Sequence, residues 1–235
     1  MLKSNTIVPL YEQLKQKLKG EIDAGIYKPG DKLPPELEMA KQNNVSVITA
    51  RKAVNDLASE GIVEKKQGKG TFVAVPKYGR DYTRITSFSD SCMAMGLRAG
   101  SVLLEQKVLV PEPHILEQLE LSERSSAVFI SRLRTVNDEP MAIEKSYFSM
   151  EYAFLLNETL EGSLFDVLRE KRNVQVVKSK KRIEICRATA QEAKLLNLRK
   201  NNPLLLVKSV ALSADNTPIY VGVQLINGER FTLCI

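Results

Sequence analysis

Tryptophan is absent from the 235 residues, histidine occurs once (His114), and cysteine three times, at Cys92, Cys186 and Cys234. Each scarcity excludes a kind of chemistry. Three scattered cysteines without CxxC spacing make neither a disulfide framework nor a zinc site, so all three are expected as buried thiols in a reduced compartment. A lone histidine in "PEPHILEQ", with no second His or paired Cys nearby, is expected to cap a helix or face solvent rather than to bind a metal. No apolar window approaches the length of a membrane span, and "MLKSNTIVPLYEQLKQ" has no signal-peptide core, so a cytoplasmic protein without a membrane partner is expected. The GxSxG, HExxH and GxGxxG-plus-helix patterns are missing, and no cofactor is implied.

What remains is ordinary globular material, 43% hydrophobic and enough for two modest cores. The formal charge of +6 is unevenly placed. Residues 1–77 hold 13 Lys and Arg against 9 Asp and Glu, whereas residues 78–235 hold 21 against 19. A basic N-terminal segment permits a polyanionic partner.

Leu10, Leu14, Leu18 and Ile22 step by four after Pro9, which predicts a helix that stops at Gly25. A Pro/Gly connection, "YKPGDKLPPE", leads to a short second helix with Glu36 and Glu38 near its positive end. Ser46 is the expected N-cap of a third helix, with Val47, Ala50, Val54 and Leu57 on one face and Gly61 as its stop. Two helices joined by "NNVS", the second with Thr49, Arg51 and Lys52 near its start, fit a helix-turn-helix whose recognition helix offers its first turns to the major groove. Next, "IVEKK", "QGKG" and "TFVA" predict a two-stranded ribbon with Lys65, Lys66 and Lys69 at a tip built on Gly68 and Gly70. A Walker loop would need a helix after Thr71, and β-formers follow instead. A solvated hairpin and a DNA-gripping wing remain, and the wing accounts for both the glycines and the lysines.

Residues 76–82 lack apolar periodicity and are expected as a linker between a domain over 1–75 and another over 83–235. In the second, strand-like runs alternate with helices near 112–119, 150–157, 163–172 and 189–196, after a short helix with Ser87 or Ser89 near its start. The class is α+β. Residues 119–148 repeat at 196–226, each copy a helix end, a strand, an Asp-containing turn and a return strand. Arg132 and Arg134 correspond to Ser209 and Ala211, and Glu144 to Gly222, so the hairpin itself does not demand the charges. Two arginines on one strand face near Ser87–Asp90 suggest an anion site; the alternative is a surface ion-pair set with Glu144 and Glu184.

The stretch from Pro9 to Val73 resembles the winged helix-turn-helix domain of the GntR family of bacterial transcription regulators. The matching pieces are Val8–Tyr11, "GIYKPGDKLP", "SVITARKAVNDLASEG" and "GKGTFV". Two arginines usual in that family are replaced by Leu37 and Val47. The resemblance implies a double-stranded DNA operator contacted by Ser46, Thr49, Arg51, Gly68, Lys69 and Gly70; from their places on the helices and the ribbon tip, Glu36, Lys52 and Lys66 are expected at the same surface. Residues from about 83 to 232, through "ITSFSD", "RLRTVNDEPMAIEKSYF" and "NNPLLL", are similar to the UTRA effector domain of the HutC branch, a chorismate-lyase-like mixed α/β sheet. That similarity implies a homodimer and a small-molecule effector, often a phosphosugar. Its expected contacts are Ser87, Phe88, Ser89, Arg132, Arg134, Glu144, Ser163 and Phe165. Sugar-phosphate binders of this kind carry Tyr at Phe165, Tyr-Arg at Ile226-Asn227 and Glu at Tyr220. The expectation is a metabolite-responsive repressor without enzymatic activity; the alternatives are an enzyme of lyase-like fold with a DNA-binding head and an architectural DNA binder.

Overall fold

The computed structural model describes residues 7–75 and 77–234. The chain divides into two compact units, residues 1–76 and 77–235. Residues 1–6, 76 and 235 of the expected domain ranges lie outside the described residues.

The first unit holds three helices, α1 (Leu10–Asp23), α2 (Glu36–Asn43) and α3 (Val47–Ser59), then a ribbon of β1 (Val63–Lys66) and β2 (Gly70–Val73). The apolar stripe of α1 places Leu14 and Leu18 against Ala50, Ala53, Val54 and Leu57 of α3. The small residues of α3 let the helices approach closely, and each fully buried Leu or Val contributes about 1.5–3 kcal/mol. Ser46 caps α3, its Oγ accepting the Thr49 amide at 3.0 Å. The tight turn before it uses Asn44 in the left-handed region, φ 53°. Lys32 bridges Phe72, so the chain before α2 lies along the outer edge of the ribbon.

The second unit begins with β3 (Tyr78–Asp81) and α4 (Phe88–Ala94). Then follow β4 (Ala99–Leu109), α5 (Pro113–Gln118), β5 (Ala127–Val136) and β6 (Glu139–Ser149). A 3₁₀ segment (Met150–Asn157) and α6 (Leu164–Arg172) lead to β7 (Lys178–Arg187), α7 (Ala190–Leu195), β8 (Pro203–Leu212), β9 (Pro218–Asn227) and β10 (Phe231–Cys234). Six strands form one antiparallel sheet in the order β4-β5-β6-β9-β8-β7.

That order is a duplicated β-α-β-β unit turned about a pseudo-twofold axis between β6 and β9. Lys145 pairs with its own repeat equivalent, Val223, while Glu144 pairs with Gln224 and Ser146 with Gly222. The axis therefore passes through the Lys145–Val223 pair. On one face, Ile143, Leu204 and Leu225 pack with Ala193 and Leu196, and Ala127 and Val221 with Ile115 and Leu119. Here α7 of the second copy lies on β6 of the first, and α5 of the first lies on β9 of the second. On the other face, α4, the 3₁₀ segment and α6 cover the sheet together with β3 and β10.

Three expectations need correction. Residues 78–81, read as linker, form β3, which pairs in parallel with β10. Their alternation of Tyr78, Arg80 and Tyr82 sends one side toward the sheet, where Tyr82 is buried beside Phe231. The helix expected near 150–157 is 3₁₀, with a kink at Tyr152. Of the cysteines, only Cys92 is buried; Cys186 is half-buried and Cys234 is exposed on the end strand.

Candidate functional site

In the first unit, the segment leading into α2 and the ribbon enclose a groove of about 400 Å³ lined by Lys32, Glu36, Lys66, Gly68, Gly70 and neighbouring residues. Glu36, at the start of α2, is the hub of one side. Its Oε2 accepts from Arg51 Nε at 2.8 Å, and its Oε1 from Lys65 Nζ at 2.9 Å, while Lys65 also donates to Asn55 Oδ1 at 2.6 Å. The Arg51 hydrogen bond, aided by Lys65, holds the Glu36 carboxyl below its ordinary range despite partial burial. Glu36 thus ties α2, α3 and β1 together and aims Arg51, whose side chain is still 59% exposed. The rest of the Arg51 guanidinium is open to solvent, and Glu36 has both oxygens occupied.

The other expected residues of this unit divide by their freedom. Ser46 is spent on the cap, its Oγ also bonding Thr49 Oγ1 at 2.8 Å. Lys52 lies over the Tyr11 ring at 3.7 Å. Lys66 pairs with Glu64 at 3.3 Å, and Lys69 stands at the exposed tip without an ion-pair partner among the described residues. Gly68 (φ +70°) and Gly70 (φ +117°) make the reversal, and a Cβ at Gly70 would lie 2.7 Å from the Lys32 side chain. Where the GntR pattern carries arginines, Leu37 is 56% exposed and Val47 packs half-buried against the core. Ile48, which sequence reasoning passed over, is 78% exposed on α3. Its place one residue after Val47, off the buried stripe, was the available signal.

In the second unit, Ser87, Phe88, Arg132, Arg134, Glu144, Ser163 and Phe165 line one cleft on the α4 and α6 side of the sheet. Ser89 joins them by accepting from Arg134 Nη2 at 3.1 Å. The arginines are not a surface pair: Arg132 and Arg134 are 2% and 3% exposed, and Glu184 pairs elsewhere, with Arg182 and Lys208. Arg132 spends its donors on the Leu160 and Gly162 carbonyls, at 3.3 and 3.1 Å, and on Glu144. Arg134 is less committed. Its Nη1 reaches Glu144 only at 3.5 Å, its plane stacks 4.7 Å from the Phe88 ring, and its buried Nε has no partner. Burial, only partly offset by Glu144, lowers its pKa to about 10, so it stays charged at neutral pH. Burial alone would raise the Glu144 carboxyl, but the guanidiniums of Arg132 and Arg134 outweigh it and bring the group down to about 2.

Ser87 and Ser163 are helix caps, accepting the Asp90 and Asp166 amides, so their hydroxyls are already engaged. The cleft also contains residues that sequence reasoning did not assign: Arg80, Tyr82, Lys181, Tyr220 and Gln224. Gln224 donates to Glu144 Oε1 at 2.9 Å and accepts from Tyr82 Oη at 3.2 Å, which joins β9 and the residue after β3 to the charged cluster. Among the described residues no His, Cys, Asp or Glu cluster could hold a metal, and no helix is long and apolar enough to cross a membrane.

Comparison with known proteins agrees with both halves. Residues 10–73 match the bacterial regulatory proteins of the gntR family, and residues 94–232 match the UTRA domain. The chain is similar to the HTH-type transcriptional repressor NagR of Bacillus subtilis (strain 168), with 32% identity over 226 residues, 96% of this chain and 93% of that protein. A probable fructoselysine utilization operon transcriptional repressor of Escherichia coli (strain K12) is 31% identical over 228 residues, again 96% of this chain and 93% of the relative. Among solved structures, PhnF from Mycobacterium smegmatis superposes with a TM-score of 0.70 at 26% identity, covering 94% of this chain and 97% of that one. The chain belongs to the GntR family of bacterial transcription regulators, in the HutC-type group that joins the winged helix-turn-helix to a UTRA domain.

Proposed function

We propose that this chain is a repressor whose operator occupancy is set by a small anionic effector, a phosphorylated sugar or sugar conjugate, held in the cleft around Arg134. The observation that carries the reading is the Arg134 guanidinium itself: buried, charged, and with an Nε that no protein atom satisfies. An unpaired buried donor on a cation costs free energy that an anionic ligand recovers. The relative named for fructoselysine utilization belongs to sugar-conjugate metabolism, which fits a cleft of this polarity.

On the DNA side, Arg51 and Thr49 read base edges, Ile48 meets a thymine methyl, and Lys69 and Lys66 lie against phosphates. Two copies of the chain present two such heads to half-sites of a near-palindromic operator. Effector and operator binding are coupled, so each alters the affinity of the other by the same factor.

The test uses the full chain, glucosamine 6-phosphate and inorganic phosphate as probes, and an operator selected from random-sequence DNA. Glucosamine 6-phosphate is expected to raise the melting temperature of the wild type and change its operator affinity, and Arg134→Ala to abolish both responses while still binding the operator. If Arg134→Ala responds like the wild type, or instead loses the operator, the assignment of the cleft fails.

A further inference from the structure

Because the sheet is duplicated, the cleft has two lobes that are chemically unlike. The first-copy lobe holds Arg132, Arg134 and Glu144, and the second-copy lobe holds Ser179, Lys181 and Ser209. Arg80, Phe165, Tyr220 and Gln224 line both. Lys181 sits opposite Ser209, which occupies the repeat position of Arg132, so the second copy returns a cation to its lobe from the neighbouring strand β7.

Lys181 and Arg80 flank one aromatic ring: the Lys181 Nζ is 5.1 Å and the Arg80 guanidinium 5.0 Å from the centre of Tyr82. Their hydrogen bonds go to neutral carbonyls, Lys181 to Tyr82 O at 2.8 Å and Arg80 to Thr86 O at 2.9 Å. Among the described residues neither has a carboxylate within salt-bridge distance. Burial, and then the nearby Arg80, hold the Lys181 ammonium below its ordinary pKa, and the more distant Asp81 carboxylate offsets them only in part.

Charge decides what the ligand must bring. Glu144 offsets Arg132 and Asp81 offsets Arg84, and Arg134, Arg80 and Lys181 remain as three positive charges around one cleft. A phosphate monoester carries about −1.5 to −2 at neutral pH. It would leave roughly one cation, on a half-buried side chain, unanswered.

Resting on the effector reading above, we propose that the effector is a two-ended anion: a phosphate monoester at Arg134, and a carboxylate between Lys181 and Arg80. Four interstrand steps separate β5 from β7 in the sheet. At about 4.8 Å each they span about 19 Å, and because the Arg134 row crosses the sheet to Ile185, four residues from Lys181, the backbone separation is about 23 Å; an Arg and a Lys side chain of about 6–7 Å each, both directed at the shared lining of Arg80, Phe165, Tyr220 and Gln224, leave about 10 Å for the ligand. The lobes are narrow as they stand, about 30 and 40 Å³, so the ligand parts Thr86 and Phe165 from the sheet as it enters.

The experiment is calorimetric titration of the full chain with 6-phosphogluconate and with glucitol 6-phosphate, which differ only in a carboxylate against a hydroxymethyl group. The expected result is tighter binding of 6-phosphogluconate by about ten-fold, the equivalent of about 1.4 kcal/mol, with Lys181→Gln reducing that preference to about two-fold or less. A merely structural lysine would weaken both ligands in proportion, so an unchanged ratio in Lys181→Gln overturns the proposal. Equal affinity of the wild type for the two ligands overturns it while leaving the anionic effector standing. Failure of both to bind removes it together with the phosphate reading.

Discussion

Replacing Glu144 by Gln keeps the shape of the side chain and one acceptor but deletes the only negative charge between two buried guanidiniums. Two routes give the cost. A carboxyl lowered from an ordinary 4.5 to about 2 contributes about 3 kcal/mol to folding through proton linkage. Breaking one side of a buried ion pair costs roughly 3–5 kcal/mol. The two agree because both measure the same uncompensated charge. A unit of this size loses about 2–4 °C per kcal/mol, so the melting temperature should fall by about 6–12 °C. The sign with pH follows from a depressed folded-state pKa: the stabilisation is complete above about 4.5 and is lost as pH falls toward about 2. The gap between wild type and Glu144→Gln should therefore be constant near neutrality and close as pH drops from 4.5 toward 2. Urea unfolding followed by near-ultraviolet circular dichroism reports mainly on the second unit, because five of the seven tyrosines lie there and there is no tryptophan. A gap below about 1 kcal/mol at pH 7, or one that persists undiminished at pH 3, would refute a desolvated Arg132–Glu144–Arg134 cluster.

On the DNA side, Lys69→Ala should weaken binding to all sequences alike and flatten the plot of log K against log salt by about 1; an unchanged slope places the ribbon tip away from phosphate. Glu36→Gln should cost the first unit less than about 1 kcal/mol, since the pair is partly exposed. It should nevertheless relax discrimination at the base read by Arg51 by about 1–3 kcal/mol, measured on operators altered one base pair at a time. Ser46→Ala removes the α3 cap and should lower the stability of the first unit by about 1 kcal/mol, and a variant as stable as the wild type would mean that the Thr49 amide finds another acceptor.

The elements legible in the sequence are those with local causes. The period of four in α1, the Ser46 cap and the paired glycines of the ribbon act within a few residues, and the 77-residue repeat anticipated a sheet of two related halves. What escaped has non-local causes. Residues 78–81 become a strand only because β10, some 150 residues later, pairs with them, and four residues with a single half-buried tyrosine carry little periodicity of their own. Arg80 was lost with that strand, although its alternation with Tyr78 and Tyr82 was a readable sign. Lys181 hid in a run of basic residues, where one lysine looks like the next until the register with Ser209 separates the cleft face from the solvent face. The burial of Arg132 and Arg134 also escaped, because a charged pair on a strand reads as surface unless its covering helices are known.

The asymmetry of the two copies has a physical cause that links three substitutions into one. A Cβ at Gly222 would lie 2.8 Å from Ser209 Oγ and 3.1 Å from the Tyr220 ring, so the place Glu144 holds in the first copy is closed in the second unless those side chains shift. Without a carboxylate at 222, arginines at 209 and 211 would be buried cations with no counterion, several kcal/mol each in cost. Ser209 and Ala211 are therefore what a copy bearing Gly222 can accommodate, and Tyr220 takes the space beside them. The same reasoning locates the cation of that lobe on β7: an edge strand half-open to water can carry Lys181 without a built-in carboxylate, where the inner strands β8 and β9 cannot. One duplicated framework thus yields a first lobe in which one carboxylate stands between two buried guanidiniums, and a second that carries its cation on the edge strand with no carboxylate in the repeat position.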